Sequence, residues 1–186
     1  MKRIVTLLTL AALALAAPAA LAQSDFGLKR IGGSLGFVDP EGLGTTVSLG
    51  IFADHGTVAP HFSIESRLDY WGQSESFFGE EVSVRDIALG ARGKYNFEVA
   101  NPKVRPFLGI GLGAHFLKTE VTIPAFGPFP AETFEATSTE LGFDLGGGVG
   151  TPLSPKLDLI GETWFGIVDT ANTFTVRASF SYKLGS

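Results

Sequence analysis

Residues 107–116 read "FLGIGLGAHF". Leu108, Ile110, Leu112 and Ala114 take one set of alternate positions, and Gly109, Gly111 and Gly113 take the other. A period of two places successive side chains on opposite faces, so this is a strand with one apolar face and one nearly bare one. Glycine weakens a strand interior, and a sheet in water has no reason to give up three neighbouring side chains. The bare face must therefore lie against something bulky.

The same alternation recurs on both sides of this stretch. Eight runs lie near 29–38, 43–54, 61–71, 82–97, 105–118, 139–151, 157–168 and 173–184. Between them stand "DPEG" (39–42), "HGTVAP" (55–60), "GQSESFFGEE" (72–81), "ANP" (100–102), a long segment from Thr119 to Ser138, "SPK" (154–156) and "DTAN" (169–172). Proline and glycine at these places fix or free φ and break a ladder. Sequential strands on short turns pair antiparallel, and an even number lets the first and last strands close the sheet. Most runs reach the ~9–11 residues that a tilted strand needs to cross a bilayer.

One face of the runs carries Leu35, Phe37, Leu49, Ile51, Leu68, Leu89, Leu108, Leu112, Leu141, Leu145, Phe165, Ile167, Val176 and Phe180, with no charge in mid-strand. The other carries Arg30, Glu65, Arg67, Asp69, Asp86, Arg92, Lys94, His115, Glu140, Asp144, Asp158, Glu162, Arg177 and Lys183. Two architectures share this pattern. A secreted ligand-binding barrel turns the apolar face inward, and a membrane barrel turns it outward. Three features select the second. Gly32, Gly36, Gly50, Gly90, Gly142, Gly146, Gly148 and Gly150 join the glycines of 109–113 on the charged face, where they make room inside a narrow barrel. The charges on that face nearly balance, seven acids against six bases and one histidine, as a network sheltered from water requires. Aromatics gather at strand ends, with Phe37, Tyr70, Phe116 and Phe174 toward one rim and Phe62, Tyr95, Phe97 and Tyr182 toward the other. Two such girdles mark two membrane interfaces. The expected fold is all-β, an eight-stranded antiparallel up-and-down transmembrane β-barrel.

The beginning of the chain indicates export. Lys2 and Arg3 precede an apolar run from Ile4 to Ala17, and "ALA" (20–22) supplies the small-x-small cleavage pattern. Residues 1–22 are expected to be a signal peptide and 23–186 the barrel domain. Losing Lys2 and Arg3 from 14 basic residues leaves 12 against 19 acidic ones, a net charge of −7, which argues against nucleic acid as a partner. The chain has no cysteine, hence no disulfide framework and no thiol chemistry.

The signal segment, "PFLGIGLGAHF" (106–116) and "LGFDLGGGVGTPLSPKLDLIGETWFGIVD" (141–169) resemble the small outer-membrane-protein β-barrel family, the eight-stranded OmpA/OmpX-like group. The resemblance covers essentially all of 23–186, and its glycine–apolar motifs specify architecture, not activity. It implies an outer-membrane location, contact with outer-membrane lipid, insertion by the barrel-assembly machinery and a monomer. It also implies periplasmic termini, so that 39–42, 72–81, 119–138 and 169–172 lie outside the cell and the shorter connections inside. Family members usually end on an aromatic residue. Here Phe180, Tyr182 and Leu184 keep the alternation, but "GS" follows.

Chemistry is sparsely signalled. Histidine occurs at 55, 61 and 115 only. His115 faces the lumen with Glu140 and Asp144 nearby, but no serine shares that side of its two strands, so a hydrolytic triad is not expected. Asp144, Asp158 and Glu162 face inward, where Arg177 and Lys183 would neutralise them, which favours salt bridges over a metal site. "GLGAHF" and "GGGVGT" lack the lysine and the following helix of a phosphate loop. No catalytic, cofactor or metal residue is expected. The expected lumen charge network is Glu65, Arg67, Asp69, Arg92, Lys94, His115, Glu140, Asp144, Asp158, Glu162, Arg177 and Lys183. The candidate interaction loop is 119–138, where Phe126, Phe129 and Phe134 stand among Pro124, Pro128 and Pro130 without a strand to serve. The sequence thus points to a non-enzymatic barrel with an envelope-structural or surface-interaction role toward an unidentified ligand. A narrow solute channel is the alternative, and a lipid-modifying enzyme stands third.

Overall fold

The eight alternating runs form eight antiparallel strands that close into one ring. The computed structural model describes residues 25–77, 80–125, 130–169 and 172–185. The strands are β1 (Asp25–Pro40), β2 (Thr46–Ala59), β3 (Phe62–Phe77), β4 (Glu80–Asn96), β5 (Arg105–Ile123), β6 (Glu132–Pro152), β7 (Leu157–Val168) and β8 (Thr173–Lys183). Each pairs with the next, and β8 returns to β1 with Leu35 opposite Ala178, so the ring is closed.

Burial is inverted relative to a protein folded for water. Leu112 and Leu141 are 69% and 84% exposed, whereas Arg67 and Glu162 are 4% and 3% exposed. The exposed leucines, isoleucines, valines and phenylalanines recur on every strand, and no water-soluble surface carries such a belt. A lipid solvent reverses the rule, and the apolar face then belongs outside. Tyr70, Ile87 and Phe116 share one row near the end that carries the β1–β2, β3–β4, β5–β6 and β7–β8 connections, termed here the hairpin rim. Phe62 lies opposite Tyr95 near the other end, the terminal rim, where the rings of Tyr95 and Phe97 meet edge-on at 5.1 Å.

The inner glycines serve their neighbours' side chains more than those of the opposite wall. A Cβ at Gly109 would lie 2.7 Å from the Trp164 ring, and one at Gly111 would lie 2.9 Å from Cγ of Arg92 and 3.0 Å from Cβ of Asp144. At Gly146 it would meet the Thr163 carbonyl and the Trp164 ring, and at Gly142 the imidazole of His115. The bare wall of 107–116 is thus the surface on which Trp164, Arg92 and Asp144 rest, and Gly142 makes the same room for His115.

The structure corrects three expected connections: β2 runs through 55–59, and 72–81 and 119–138 are largely strand. Residues 119–138 were expected to be a loop, yet β5 continues to Ile123 and β6 starts at Glu132. The ladder runs unbroken from Phe116–Thr139 to Ile123–Glu132, with the Thr122 and Thr133 hydroxyls 3.2 Å apart. "TEVTI" and "ETFEATST" are rich in threonine, valine and phenylalanine, residues that suit a pleated surface. Phe134 therefore lies on β6 opposite Val121, while Phe126 and Phe129 fall outside the described residues. β3 and β4 likewise continue to the Phe77–Glu80 pair. Together β3–β6 form a four-stranded ridge above the hairpin rim.

Candidate functional site

Two regions could carry function: the filled lumen and the ridge. The lumen is organised around Arg67, whose five donors a planar guanidinium presents as a fork. Its Nη1 donates to Glu65 Oε1 at 2.8 Å and to Glu162 Oε1 at 3.2 Å. Nη2 donates to Ser34 Oγ and to Asp69 Oδ1, both at 3.1 Å, and Nε donates to Asp69 Oδ2 at 3.1 Å. Lys94 joins the cluster through Glu65 at 2.6 Å, with Glu162 Oε2 at 3.9 Å. Arg177 reaches Asp69 at 2.7 Å and stands 3.8 Å from Glu162, its direct cross-strand neighbour. Arg92 is held by Asp144 at 2.8 Å.

The ends of the lumen are separate clusters. Toward the terminal rim, buried Asp158 takes Arg30 at 2.8 Å, Lys183 at 3.1 Å and Arg105 at 3.2 Å. Toward the hairpin rim, His115 Nδ1 donates to Asp86 Oδ2 at 2.7 Å, and Trp71 Nε1 donates to the same oxygen at 3.2 Å. Glu140 lies opposite His115 and accepts the Ser138 hydroxyl at 3.0 Å, so a serine does share this side of β6, contrary to expectation, and it bonds Glu140 because β6 extends below Thr139. All twelve residues of the expected charge network thus face the lumen, but in three groups rather than one. In the Arg67 and Asp158 groups Glu65, Glu162 and Asp158 are buried, and each, like Asp69, lies against a base. Among the described residues, no group of three or more His, Cys, Asp or Glu is arranged to hold a metal ion.

Sequence reasoning missed the aromatic half of the filling. Phe52, Trp71, Phe107 and Trp164 are buried inside the barrel. The Arg92 guanidinium lies 3.9 Å from the Trp164 ring centre, Arg67 lies 5.4 Å from Phe52, and Lys94 Nζ lies 4.8 Å from Phe107. A cation over a ring face is attracted by the ring quadrupole, more so away from water. Each aromatic sits at the charged phase of its strand, and that out-of-phase position was the available signal. With charges and rings interleaved, the upper lumen keeps a cavity of about 50 Å³, room for a few waters at most. A vestibule of about 840 Å³ opens at the terminal rim. The Arg67–Glu65–Lys94–Glu162 layer separates the two.

A closed ring of eight strands with an apolar exterior and a filled polar interior is the setting for the comparison with known proteins. The family model of the outer membrane protein β-barrel domain matches residues 6–183. The chain belongs to that family. It is an outer-membrane barrel, as its exterior requires. Among solved structures, it is similar to neisserial surface protein A at 16% identity and a TM-score of 0.60, covering 84% of this chain and 96% of that one. It is similar also to a major outer membrane protein of Thermus thermophilus, at 16% identity and a TM-score of 0.58, covering 84% and 99%. Ail, the attachment invasion locus protein of Yersinia pestis, aligns at 12% identity with a TM-score of 0.52, covering 84% and 97%. At these identities the likeness is one of fold. No curated protein matches the chain.

Above the hairpin rim this outer-membrane barrel reverses its pattern. The outward positions of the ridge are polar: Arg85 lies 3.6 Å from Glu120, and Lys118 lies 2.5 Å from Glu120 and 3.2 Å from Glu135. Several lumen-side positions are apolar, Val84, Leu117, Val121, Ile123 and Phe134, with Thr119, Glu132 and Ser138 between them in the same register. This is the alternation of a sheet in water. The ladder to β7 begins only at Gly142–Val168. Among the described residues, 132–141 of β6 therefore bond to β5 on one side and to no strand on the other. Residues 132–139 are exposed throughout.

Proposed function

We propose that this protein is a non-enzymatic outer-membrane barrel that acts from its surface, with the β6 edge of the ridge as the contact for an extended segment of a partner. In this reading residues 1–22 are a secretory signal, the termini face the periplasm, the hairpin rim faces outward and the barrel is a monomer. The observation that carries the reading is the open edge at 132–141. An exposed edge strand offers a row of unpaired N–H and C=O groups and is ordinarily blunted by charged side chains, most often lysine, by proline or by a bulge, and glutamates are the only such device here. Here the edge reads "ETFEATSTEL", with no lysine or proline and no bulge against β5. Addition of a strand to such an edge is a general mode of peptide recognition.

Charge narrows the partner. Glu132 and Glu135 lie along the edge, so a basic segment suits it and a polyanion does not. Ail has been crystallised with a heparin analogue, sucrose octasulfate, a polyanion that these glutamates would repel. A labelled peptide of alternating lysine and valine, titrated against the barrel in nanodiscs, tests the reading. Binding is expected, and reversing charge with Glu132→Lys and Glu135→Lys should weaken it about tenfold or more. A parent that does not bind, or binding indifferent to the reversal, removes the edge from consideration.

A further inference from the structure

The lipid-facing wall is unevenly clothed. Where β1, β2 and β3 run side by side, the outward positions Gly33, Ala53 and Ser66 carry small side chains or none. Ile31, Ile51, Leu68, Leu89, Phe180 and Tyr182 stand around them and enclose a groove of about 660 Å³. Through Gly33, Ile51, Leu68 and Phe180 it continues into a second hollow of about 710 Å³ that ends at Leu35 and Tyr70. The groove therefore runs from Tyr182 of the terminal girdle toward Tyr70 of the hairpin girdle. From Ile31 to Leu35 it covers about 13 Å of strand, and the neighbouring strands carry it further toward Tyr70, a length that accommodates one acyl chain.

One end of the groove is polar. His55 Nε2 and Ser66 Oγ are 2.9 Å apart, and Ser66 also lines the groove. The imidazole stacks on Phe26 with ring centres 5.9 Å apart, which fixes its plane. His55 was expected to be a solvated turn residue, yet it lies on β2 two positions from Ala53 on the same outward face. With Nε2 engaged, Nδ1 has no protein partner among the described residues. An apolar channel long enough for one acyl chain, ending near the terminal girdle in two hydrogen-bonding side chains, matches an amphiphile with a chain and an ester-linked head. We propose that this groove retains one glycerophospholipid, with an acyl chain along Gly33 and Ala53 and the glycerol ester region at His55 and Ser66.

Gly33 offers a clean test. A Cβ there would meet only the Gly50 carbonyl oxygen, at 3.7 Å, so a larger residue grows into the groove and not into the wall. The parent is refolded into phosphatidylethanolamine/phosphatidylglycerol vesicles and extracted into detergent, and retained phospholipid is counted by native mass spectrometry. One phospholipid is expected on the parent. Gly33→Leu should lower the lipid-bound fraction about tenfold, and His55→Leu should lower it in the same direction. Ala114→Leu, on the lipid face of β5 outside the groove, should leave it unchanged. The mobility shift between heated and unheated gel samples verifies that each variant is folded. A folded parent without bound phospholipid overturns the proposal, as does a folded Gly33→Leu variant that retains as much as the parent. Equal loss in Ala114→Leu does so too.

Discussion

Glycine has opposite consequences on the two walls of this barrel. At Gly109 an added methyl would meet the Trp164 ring at 2.7 Å and the Gly93 carbonyl oxygen at 2.9 Å, and neither can retreat in a filled lumen. At Gly161, on the outer wall, it would meet nothing within 4 Å. Gly109→Ala should therefore cost ~1–3 kcal/mol by overpacking. Gly161→Ala should be neutral or stabilise by up to about 1 kcal/mol, because it restricts the unfolded chain. Urea titration in vesicles, followed by tryptophan fluorescence, separates the two. The buried ion pairs belong to the same scale. Loss of one partner strands the other in a sheltered place, so Glu162→Gln or Arg177→Gln should each cost ~3–5 kcal/mol. A double-mutant cycle on the pair should return a coupling of about 0.5–3 kcal/mol, and additivity would mean that the two do not act together. Glu162 opposite Arg177 was legible from strand phase and the short β7–β8 turn. Arg67 as the hub was not, because its partners on β7 and β1 meet it only across the lumen. Phe52, Phe107 and Trp164 were equally hidden, since hydrophobicity alone assigns an aromatic to the lipid face.

Among the elements, strand existence was easy to read and strand length was not, and β5 and β6 show why. The apolar phase that defines the outer wall stops at Phe116 and Leu141. Beyond them the phase inverts, with Lys118 and Glu120 outward and Val121 and Phe134 inward. A reader following one face sees the strand end where only its solvent changes. The prolines at 124, 128 and 130 reinforced that impression, although they mark the connection rather than the whole segment. The ridge stands outside the ring, and closure of the ring depends little on the length of a connection. Replacing Val121 to Ala136 by a short Gly/Ser turn should leave a heat-modifiable, folded barrel and abolish peptide binding at the β6 edge. A variant that cannot refold would show instead that the ridge is a structural cap.

Taken whole, the molecule has its charges and rings at the centre and its aliphatic side chains at the surface. That arrangement is stable only with lipid around it. Arginine in place of Leu112 or Leu145, both exposed at mid-height of the belt, should cost ~2–4 kcal/mol of folding free energy in a bilayer. Function at this scale follows from what the lumen excludes. The layer of Arg67, Glu65, Lys94 and Glu162 is almost fully buried and stands between the small upper cavity and the terminal vestibule, which supports the proposed role at the surface over passage through the lumen. Conductance of the purified barrel in planar bilayers is the most direct test of that claim. The filled lumen predicts a baseline without discrete current steps in potassium chloride. Stable single-channel openings from the folded parent would contradict it and restore the narrow-channel reading.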